Sequence, residues 1–343
     1  MTVGLVLGAG GVMGGAWLTG ALEALAAETG WDPGSADRIV GTSAGAMIGG
    51  LVAAGVAPWF MVAHSAGERF DGLKGPDGRP ASGASRSAGA ILRPERRFPS
   101  LGPGSLQLAL RTLRNPRRHT PGAVVSGWLP RGWMSTEPLR DTIRRVVPSG
   151  WVERPGVWIV ACDYATGRRV AFGREGAPEA DYADAVAASC AIPGFYAPVR
   201  IGGRDYVDGG MYSPSNLDLV RDEGLDLVIC LNPTSSLDEV PATRLGHRVA
   251  ASLRGASGRR LGREARKVRE RSGSRVVLIQ PTRDDLDVMG PNLMDSRRRH
   301  EAIVTAQRTV RAQLQDPELA DALGGLPPGE PEKIARPQGP IRG

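Results

Sequence analysis

A serine framed by glycines is the residue of this sequence best suited to covalent chemistry. Ser43 lies in a G-x-S-x-G motif at residues 41–45, between a predicted strand and a predicted helix. Such a turn presents the serine hydroxyl at the sheet edge, and Gly41 and Gly45 permit the sharp change of direction. The positive end of the following helix favours an anionic transition state. This context predicts that Ser43 is a nucleophile; the alternative is that Ser43 or Thr42 caps the helix.

A cluster of glycines at residues 8–15 follows the first predicted strand. It fails as a dinucleotide-binding loop, because Met13 stands where G-x-G-x-x-G requires its third glycine. It also fails as a phosphate-binding P-loop, because no Lys-Ser/Thr pair follows. Consecutive glycines can instead point backbone N–H groups at a developing negative charge. With an elbow serine about 30 residues later, an oxyanion hole is the favoured interpretation, and a structural tight turn is the alternative.

A nucleophilic serine requires a general base, and a triad with Asp208 and His300 is one option. Those residues satisfy the order Ser, Asp, His of the α/β hydrolases. In that fold, however, the elbow follows several strands, whereas only about 40 residues precede Ser43 here. His300 also lies in an Arg-rich run that is typical of a solvated helix face. The remaining histidines are no better placed: His64, His119 and His247.

Asp208 alone is the second option. It ends a predicted strand, and Gly209 and Gly210 let the backbone turn away after it. Its carboxylate is therefore expected to be exposed at the sheet edge where open α/β sheets bind ligands. A carboxylate with a pKa of about 3.9 is a weak base, but partial burial would raise that pKa. We predict a Ser43–Asp208 dyad, and the alternative is an ordinary Asp-Gly-Gly turn.

Apolar patterns predict alternating strands and helices over most of the chain. Strands are predicted at residues 2–7, 38–41, 157–162, 225–231 and 276–280, with a hairpin of 198–201 and 206–207. Helices are predicted at residues 16–28, 44–54, 137–147, 182–190 and 296–314. This order is typical of a layered α/β domain with a largely parallel sheet.

Two segments depart from the alternating pattern. Residues 71–121 are rich in Gly, Pro, Ser and Arg and predict a lid-like insertion, with a short amphipathic helix near residues 106–113. The Pro- and Gly-rich end of the chain predicts a disordered tail. We therefore expect one α/β domain over residues 1–315 and a disordered tail over residues 316–343.

Positive charge is concentrated in two zones of a chain whose formal charge is +7. Residues 69–118 hold 11 basic and 3 acidic side chains, and residues 244–275 hold 11 and 2. Such zones favour contact with an anionic membrane or with nucleic acid, although a general bias towards arginine also explains them as solvated faces. Nucleic-acid binding is not favoured, because neither interleaved aromatic residues nor a recognised motif accompanies them.

The cysteines and the start of the chain indicate a cytoplasmic location. Cys162, Cys190 and Cys230 have apolar neighbours and no metal-ligand spacing, which predicts buried, reduced thiols. The sequence has neither an apolar run of about 18 residues nor a basic segment ahead of an apolar start. No metal and no other cofactor is expected.

Three spaced motifs resemble those of the patatin-like phospholipase family. Residues 10–14 stand in the place of its glycine-rich oxyanion segment, residues 41–45 form its elbow, and residues 208–210 match its Asp-Gly-Gly/Ala motif. Residues 188–195 resemble the small-residue segment that precedes this aspartate. The resemblance spans about residues 2–231 and leaves the insertion unmatched. It implies a three-layer α/β/α fold and a Ser-Asp dyad that works without histidine or metal.

The resemblance also implies the oxyanion donors and the reaction. The backbone N–H groups of Gly10, Gly11 and Val12 would form the oxyanion hole, supported by Gly14. The family usually has Arg or Lys where this chain has Met13. The implied activity is hydrolysis of lipid acyl esters, of phospholipase A or esterase type, by way of an acyl-enzyme. The alternative is a non-catalytic nucleotide- or lipid-binding module that keeps the loop geometry. The sequence does not predict an oligomeric state.

Overall fold

One mixed sheet organises the protein, and the computed structural model describes residues 1–68, 93–95, 102–238 and 245–336. The strands of this part are β1 Val3–Leu7, β2 Arg38–Thr42, β3 Val157–Asp163, β4 Arg169–Phe172, β5 Val199–Ile201, β6 Arg204–Asp208, β7 Leu227–Leu231 and β8 Arg275–Ile279. Their order is β5-β6-β3-β2-β1-β7-β8, and β4 pairs with β3. The pairs among β3, β2, β1, β7 and β8 are parallel. The pairs made by β4, β5 and β6 are antiparallel. The predicted mostly parallel sheet is confirmed.

Helices cover both faces of this sheet. Those of the described part are α1 Gly11–Thr29, α2 Ala44–Ala53, α3 Pro58–Ser65, α4 Leu106–Arg114, α5 Pro121–Trp128, α6 Glu137–Arg144, α7 Tyr182–Ser189, α8 Leu245–Ser272, α9 Arg283–Met289, α10 Arg299–Leu314, α11 Pro317–Leu323 and α12 Pro331–Ile334. No single one of them is long and apolar enough to cross a membrane. Only α2 and α3 taken together have sufficient length and apolar character, and a bend of 119° separates them.

The two faces of the sheet bury different helices, because side chains alternate along each strand. In β1, Leu5 and Leu7 join the larger core with residues of α1, α2, α7 and α10. Val6, which points the other way, joins a smaller core with residues of α8. The α1 helix comes so close to α10 that a Cβ at Gly20 would lie 2.2 Å from the Ile303 carbonyl oxygen. The protein therefore has the predicted three-layer α/β/α fold.

The register of β2, β3 and β6 brings Ser43 and Asp208, the two predicted catalytic residues, to the same level along the strands. Thr42 at the end of β2 pairs with Val160 of β3. On the other side of β3, Asp208 at the end of β6 pairs with Ala161. Ser43 follows Thr42 directly, so Ser43 and Asp208 flank β3 at adjacent positions. Neighbouring strands lie about 4.8 Å apart, which is short enough for two side chains to meet across the middle one.

Most predicted elements are confirmed, including the hairpin of β5 and β6 and the amphipathic helix α4. Most of the expected lid-like insertion lies outside the described residues. The predicted disordered tail is wrong for its described part, which contains α11 and α12. Its first helix has ordinary start signals, since Asp316 accepts hydrogen bonds from backbone N–H groups and Pro317 occupies the first turn. The tryptophan Trp59 also donates a hydrogen bond to the Glu332 carbonyl oxygen at 2.7 Å, which joins α12 to α3.

Candidate active site

The turn that carries Ser43 is strained, and its glycines explain how the strain is maintained. Ser43 has φ 54° and ψ −118°, a conformation that costs a non-glycine residue roughly 1–3 kcal/mol. The Gly45 N–H donates to the Gly8 carbonyl oxygen at 3.1 Å. A Cβ at Gly45 would lie 2.0 Å from the Leu7 carbonyl oxygen, and one at Gly41 would lie 2.6 Å from the Ala46 Cα. Only glycine fits at these two positions, so the packing of β1 against α2 holds the elbow.

The end of α7 fixes the backbone of Ser43. The Ser43 N–H donates to Ser189 Oγ at 2.9 Å, and that hydroxyl donates to the Val160 carbonyl oxygen at 2.6 Å. The Cys190 thiol donates to the Ser43 carbonyl oxygen at 3.2 Å. Burial raises the pKa of the Cys190 thiol well above its ordinary value, so this group stays protonated and can donate. The sequence singled out this segment only as a resemblance, and these contacts give Ser189 and Cys190 a positioning role.

Asp208 is held by its own motif. Its N–H donates to the Ala191 carbonyl oxygen at 3.0 Å, and its Oδ1 accepts from the Gly210 N–H at 2.7 Å. A Cβ at Gly209 would lie 2.3 Å from the Val160 carbonyl oxygen, so the chain can pass β3 only with glycine at that position. The two glycines after Asp208 therefore have separate roles. Gly209 allows the chain to pack closely against β3, and the Gly210 N–H donates to the carboxylate.

The carboxyl group of Asp208 is buried, which corrects the prediction of an exposed carboxylate. Its residue is 6% exposed, because β6 lies inside the sheet and α7 packs against it. Burial raises the pKa of Asp208 from its usual 3.8 to about 6, while hydrogen bonds from the Ser43 side chain and the Gly210 N–H oppose that rise. Asp208 is therefore largely ionised at pH 7 and a far stronger base than an exposed aspartate.

The glycine loop at the start of α1 offers unpaired backbone donors. No acceptor among the described residues takes the N–H of Gly10, Gly11 or Val12. The next N–H group, that of Met13, donates to the Leu293 carbonyl oxygen at 2.9 Å. Three donors thus remain at the positive end of a 19-residue helix. These N–H groups are therefore free to bind an anion, as the predicted oxyanion hole would require.

Close contacts join this loop to the elbow and to the Asp208 motif. The Cβ of Ala44 lies 3.8 Å from the Cβ position of Gly15, and that of Ala9 lies 3.3 Å from the Cβ position of Gly210. The N–H of Ala44, directly after the serine, also has no acceptor among the described residues. Sequence reasoning missed this fourth donor, although the position after an elbow serine is where such a donor is expected.

The loop packs too tightly for larger residues, and Met13 faces away from it. A Cβ at Gly10 would lie 2.7 Å from the Pro233 ring, and one at Gly14 would lie 3.1 Å from that ring. Gly11 has φ 60°, in the left-handed region that glycine tolerates. The Met13 side chain is 1% exposed and belongs to the larger apolar core. The residue that replaces the family's usual cation therefore contributes to packing.

A buried asparagine, also missed by sequence reasoning, connects the two motifs that carry Ser43 and Asp208. Asn216 has φ 51°, and its side-chain amide donates to Thr42 Oγ1 at 3.0 Å and to the Ser213 carbonyl oxygen at 2.6 Å. Behind it, the buried carboxylate of Glu264 accepts hydrogen bonds from the hydroxyls of Ser213 and Ser215. This network couples the residue before Ser43 to the segment that follows Asp208.

The histidines lie on other elements than Ser43 and Asp208. His300 is exposed in the first turn of α10. His64 is half-buried on α3, where burial and the charges of Arg299 and Arg145 lower its pKa. His119 is half-buried beside Gly167, and the side chain of His247 lies outside the described residues. Among the described side chains, no histidine hydrogen-bonds to Ser43 or Asp208.

Comparison with known families agrees with this arrangement. A family model described as patatin-like phospholipase matches residues 5–221, which is more than half of the chain and includes both Ser43 and Asp208. The match supports lipid acyl hydrolase activity in general, with lipids as the class of substrate. On the extent of this match, together with the α/β/α fold, the chain belongs to the patatin-like phospholipase family.

Proposed function

We propose that the protein is a lipid acyl hydrolase of phospholipase A or esterase type, in which Ser43 is the nucleophile and Asp208 is its only base. The observation that carries this proposal is the buried Asp208 carboxyl group, which accepts a hydrogen bond from the Ser43 side chain. Burial raises its pKa to about 6. A general base works best when its pKa lies near the working pH. The family match supports lipid as the substrate class but leaves the dyad as our proposal.

The first half of the reaction forms an acyl-enzyme. Ser43 Oγ attacks the ester carbonyl carbon while the Asp208 carboxylate takes the hydroxyl proton. The carbonyl oxygen becomes an oxyanion and accepts hydrogen bonds from the N–H groups of Gly10, Gly11 and Val12. When the tetrahedral intermediate collapses, the bond to the alcohol oxygen breaks and Asp208 returns the proton to that oxygen. The acyl group then remains on Ser43.

The second half releases the fatty acid by the same path in reverse. Asp208 takes a proton from a water molecule as that water attacks the acyl carbonyl. The same backbone donors stabilise the second oxyanion. Collapse breaks the bond to Ser43 Oγ, which recovers its proton from Asp208. Each proton taken is returned, so the dyad needs no second acid.

Burial of the dyad suits this chemistry in two ways. Desolvation of the Asp208 carboxylate makes it a stronger base than an exposed aspartate. Hydrogen bonds from backbone N–H groups to an oxyanion are also stronger where water is excluded. The backbone donors do not depend on the side chain at position 13, so Met13 is compatible with the proposal.

Release of fatty acid from a panel of substrates tests the proposal. The panel contains short-chain esters, neutral lipids and phospholipids, each assayed with the wild-type chain and with Ser43→Ala. We expect turnover of at least one class by the wild type and none by the variant, with circular dichroism unchanged. Equal turnover by Ser43→Ala would contradict the proposal. Absence of turnover together with tight lipid or nucleotide binding that survives Ser43→Ala would favour a non-catalytic binding module instead.

A further inference from the structure

The exposed apolar side chains of the protein are concentrated in one short region. Ten large hydrophobic residues are exposed in the described part of the chain, and six of them lie within residues 106–129. These six are Leu106, Leu110, Leu113, Val125, Trp128 and Leu129. Scattered exposed hydrophobics need no explanation, but a contiguous set is typical of an interaction site. We call the surface formed by α4 and α5 the α4–α5 surface.

The α4 helix has two apolar faces, of which the core uses one. Leu108 and Ala109 are completely buried and face the protein. Leu106, Leu110 and Leu113 are 61%, 46% and 63% exposed, and their spacing of four and three residues puts them on one side of the helix. Burial of the first face accounts for the folding of α4. The second face is covered by none of the described residues.

The α5 helix packs against α4 and adds two exposed apolar side chains. A Cβ at Gly127 would lie 2.9 Å from the Ala109 backbone nitrogen, so the two helices are in close contact. Val125 and Trp128 of α5 are 58% and 47% exposed. The other six tryptophans of the chain are buried or half-buried. Tryptophan is enriched where proteins meet the boundary between lipid headgroups and acyl chains.

The charged side chains within this segment are all basic. Residues 106–129 contain four arginines and no aspartate or glutamate. Arg111, Arg114 and Arg117 are exposed, and no carboxylate of the described residues pairs with them. In α8, the other basic zone, several arginines form ion pairs within the protein, such as Arg260 with Glu264, and one large apolar side chain is exposed. The two basic zones therefore differ, because only the first combines free positive charge with apolar area.

The α4–α5 surface is joined to the segment that follows Asp208. Thr120, at the start of α5, donates to the Met211 carbonyl oxygen at 2.9 Å, three residues after Asp208. A Cβ at Gly122 would lie 2.4 Å from the same oxygen. Tyr164, which follows the carboxyl end of β3, donates to the Ser126 carbonyl oxygen at 3.1 Å. The buried sides of α4 and α5 pack with Cys162 of β3 and Val207 of β6, so the surface lies over the strands that neighbour Ser43 and carry Asp208.

We propose that the α4–α5 surface docks on an anionic lipid bilayer and so keeps the candidate active site close to it. The exposed leucines and Trp128 would enter the boundary of the acyl chains, while the arginines contact headgroup phosphates. The role in catalysis rests on the proposed lipid hydrolase function, whereas the docking itself does not.

Charge argues against the two other occupants of such a surface. In a two-fold dimer this patch would face itself, which brings arginines together without carboxylates. Residues 69–92 of the same chain carry four basic and two acidic side chains, so they are not complementary to the patch either. An anionic membrane provides both the apolar interior and the negative charge that the surface lacks.

Co-sedimentation with vesicles tests the docking. We compare vesicles of phosphatidylcholine and phosphatidylglycerol with vesicles of phosphatidylcholine alone. The wild type should bind the anionic vesicles more tightly and lose affinity as salt rises. Leu110→Glu/Leu113→Glu should weaken binding by about tenfold or more. The matched control Leu253→Glu/Val304→Glu makes the same charge change at exposed residues of α8 and α10 and should bind like the wild type.

Tryptophan fluorescence locates the contact independently. Binding should shift the emission of the wild type to shorter wavelength, because Trp128 leaves water. Trp128→Phe should bind vesicles but lose the shift. A shift that persists in Trp128→Phe would place the contact elsewhere and contradict the proposal.

Three further results would overturn the docking proposal. The first is unchanged vesicle binding by Leu110→Glu/Leu113→Glu. The second is a wild-type dimer that this variant dissociates, which would make the surface an interface between copies. The third is a loss of thermal stability as large as that of a core substitution, which would show that the chain itself covers the surface. Failure of the hydrolase proposal is distinguishable: Ser43→Ala should keep vesicle binding, and the double leucine variant should keep turnover of a soluble short-chain ester.

Discussion

The two halves of the candidate active site are held in different ways. Ser43 has a strained backbone that neighbouring glycines enforce, whereas Asp208 has the relaxed backbone of φ −49° and ψ 129°. The special property of Asp208 is its environment, since burial raises its pKa to about 6. The local backbone geometry therefore orients the Ser43 hydroxyl. Packing between distant parts of the chain raises the pKa of Asp208.

Removal of the base should abolish turnover without disturbing the elbow. In Asp208→Asn, an amide of the same shape occupies the site but cannot accept the Ser43 proton. We expect kcat to fall by at least about 10³-fold, because a positioned general base contributes up to about 10⁴-fold. Ester hydrolysis measured beside circular dichroism checks this prediction. A fall of less than tenfold in a folded variant would assign the base to another residue.

Replacement of glycine by alanine should lower the free energy of unfolding more beside Ser43 than beside Asp208. In Gly45→Ala the new Cβ would lie 2.0 Å from the Leu7 carbonyl oxygen, so the free energy of unfolding should fall by more than about 3 kcal/mol. In Gly210→Ala the nearest atom is the Asp208 Oδ1 at 3.0 Å, and we expect a loss of about 1 kcal/mol. Chemical denaturation measures both values.

Gly262→Ala is the control for this pair. Gly262 lies within α8 and no atom comes within 4 Å of its Cβ position, so alanine should stabilise the protein by about 0.5–1 kcal/mol. Equal losses for Gly45→Ala and Gly210→Ala would contradict the account of a sterically enforced elbow.

The buried carboxylate should reduce stability at neutral pH. The folded-state pKa of Asp208, about 6, lies above its usual 3.8, so the folded protein binds more protons between these values. The free energy of unfolding therefore falls as pH rises from about 4 to 6, and this group costs about 3 kcal/mol at pH 7. Asp208→Asn removes that cost, so its stability relative to the wild type should be about 2 kcal/mol greater at pH 7 than at pH 4, where the unfolded aspartate is already partly ionised.

Denaturation of both chains at the two pH values checks this prediction. Since other groups titrate identically in both chains, their contributions cancel in the comparison. A difference that does not change with pH would mean that the pKa of Asp208 is ordinary. Burial of Asp208 would then not be what makes it a strong base.

The smallest effect is expected for the rejected triad. His300→Ala removes an exposed side chain in the first turn of α10. The value of kcat/KM should stay within about twofold of the wild type, because exposed substitutions away from a site rarely exceed about 0.5 kcal/mol. A loss of about 10³-fold, measured with the same ester, would restore histidine as the base.

The sequence was sufficient to predict the sheet, the turn at Ser43 and the proximity of Ser43 and Asp208, because each leaves a short pattern of glycines beside a strand. It misplaced the Asp208 carboxylate, which was expected at an exposed edge. That burial depends on the register between β3 and β6 and on the packing of α7, neither of which is a local pattern.

Other parts of the site escaped prediction for the same reason. Ser189, Cys190 and Asn216 act through hydrogen bonds to residues that lie 146 or more positions away in the chain. Their residue types alone do not indicate such partners. The sequence predicted α4 as an amphipathic helix, but the fold showed that the helix has an exposed apolar face as well as a buried one.

The rate at which a fluorophosphonate labels Ser43 tests most directly whether Asp208 is the base. The reagent forms a covalent phosphonyl ester with an activated serine, and peptide mass spectrometry identifies the labelled residue. For the wild type, the account predicts labelling at Ser43 whose rate is constant above pH 6 and falls about tenfold per pH unit below it. In Asp208→Asn the labelling should be slow and should not change over this range. Labelling of Asp208→Asn at the wild-type rate, or labelling at another serine, would contradict the account.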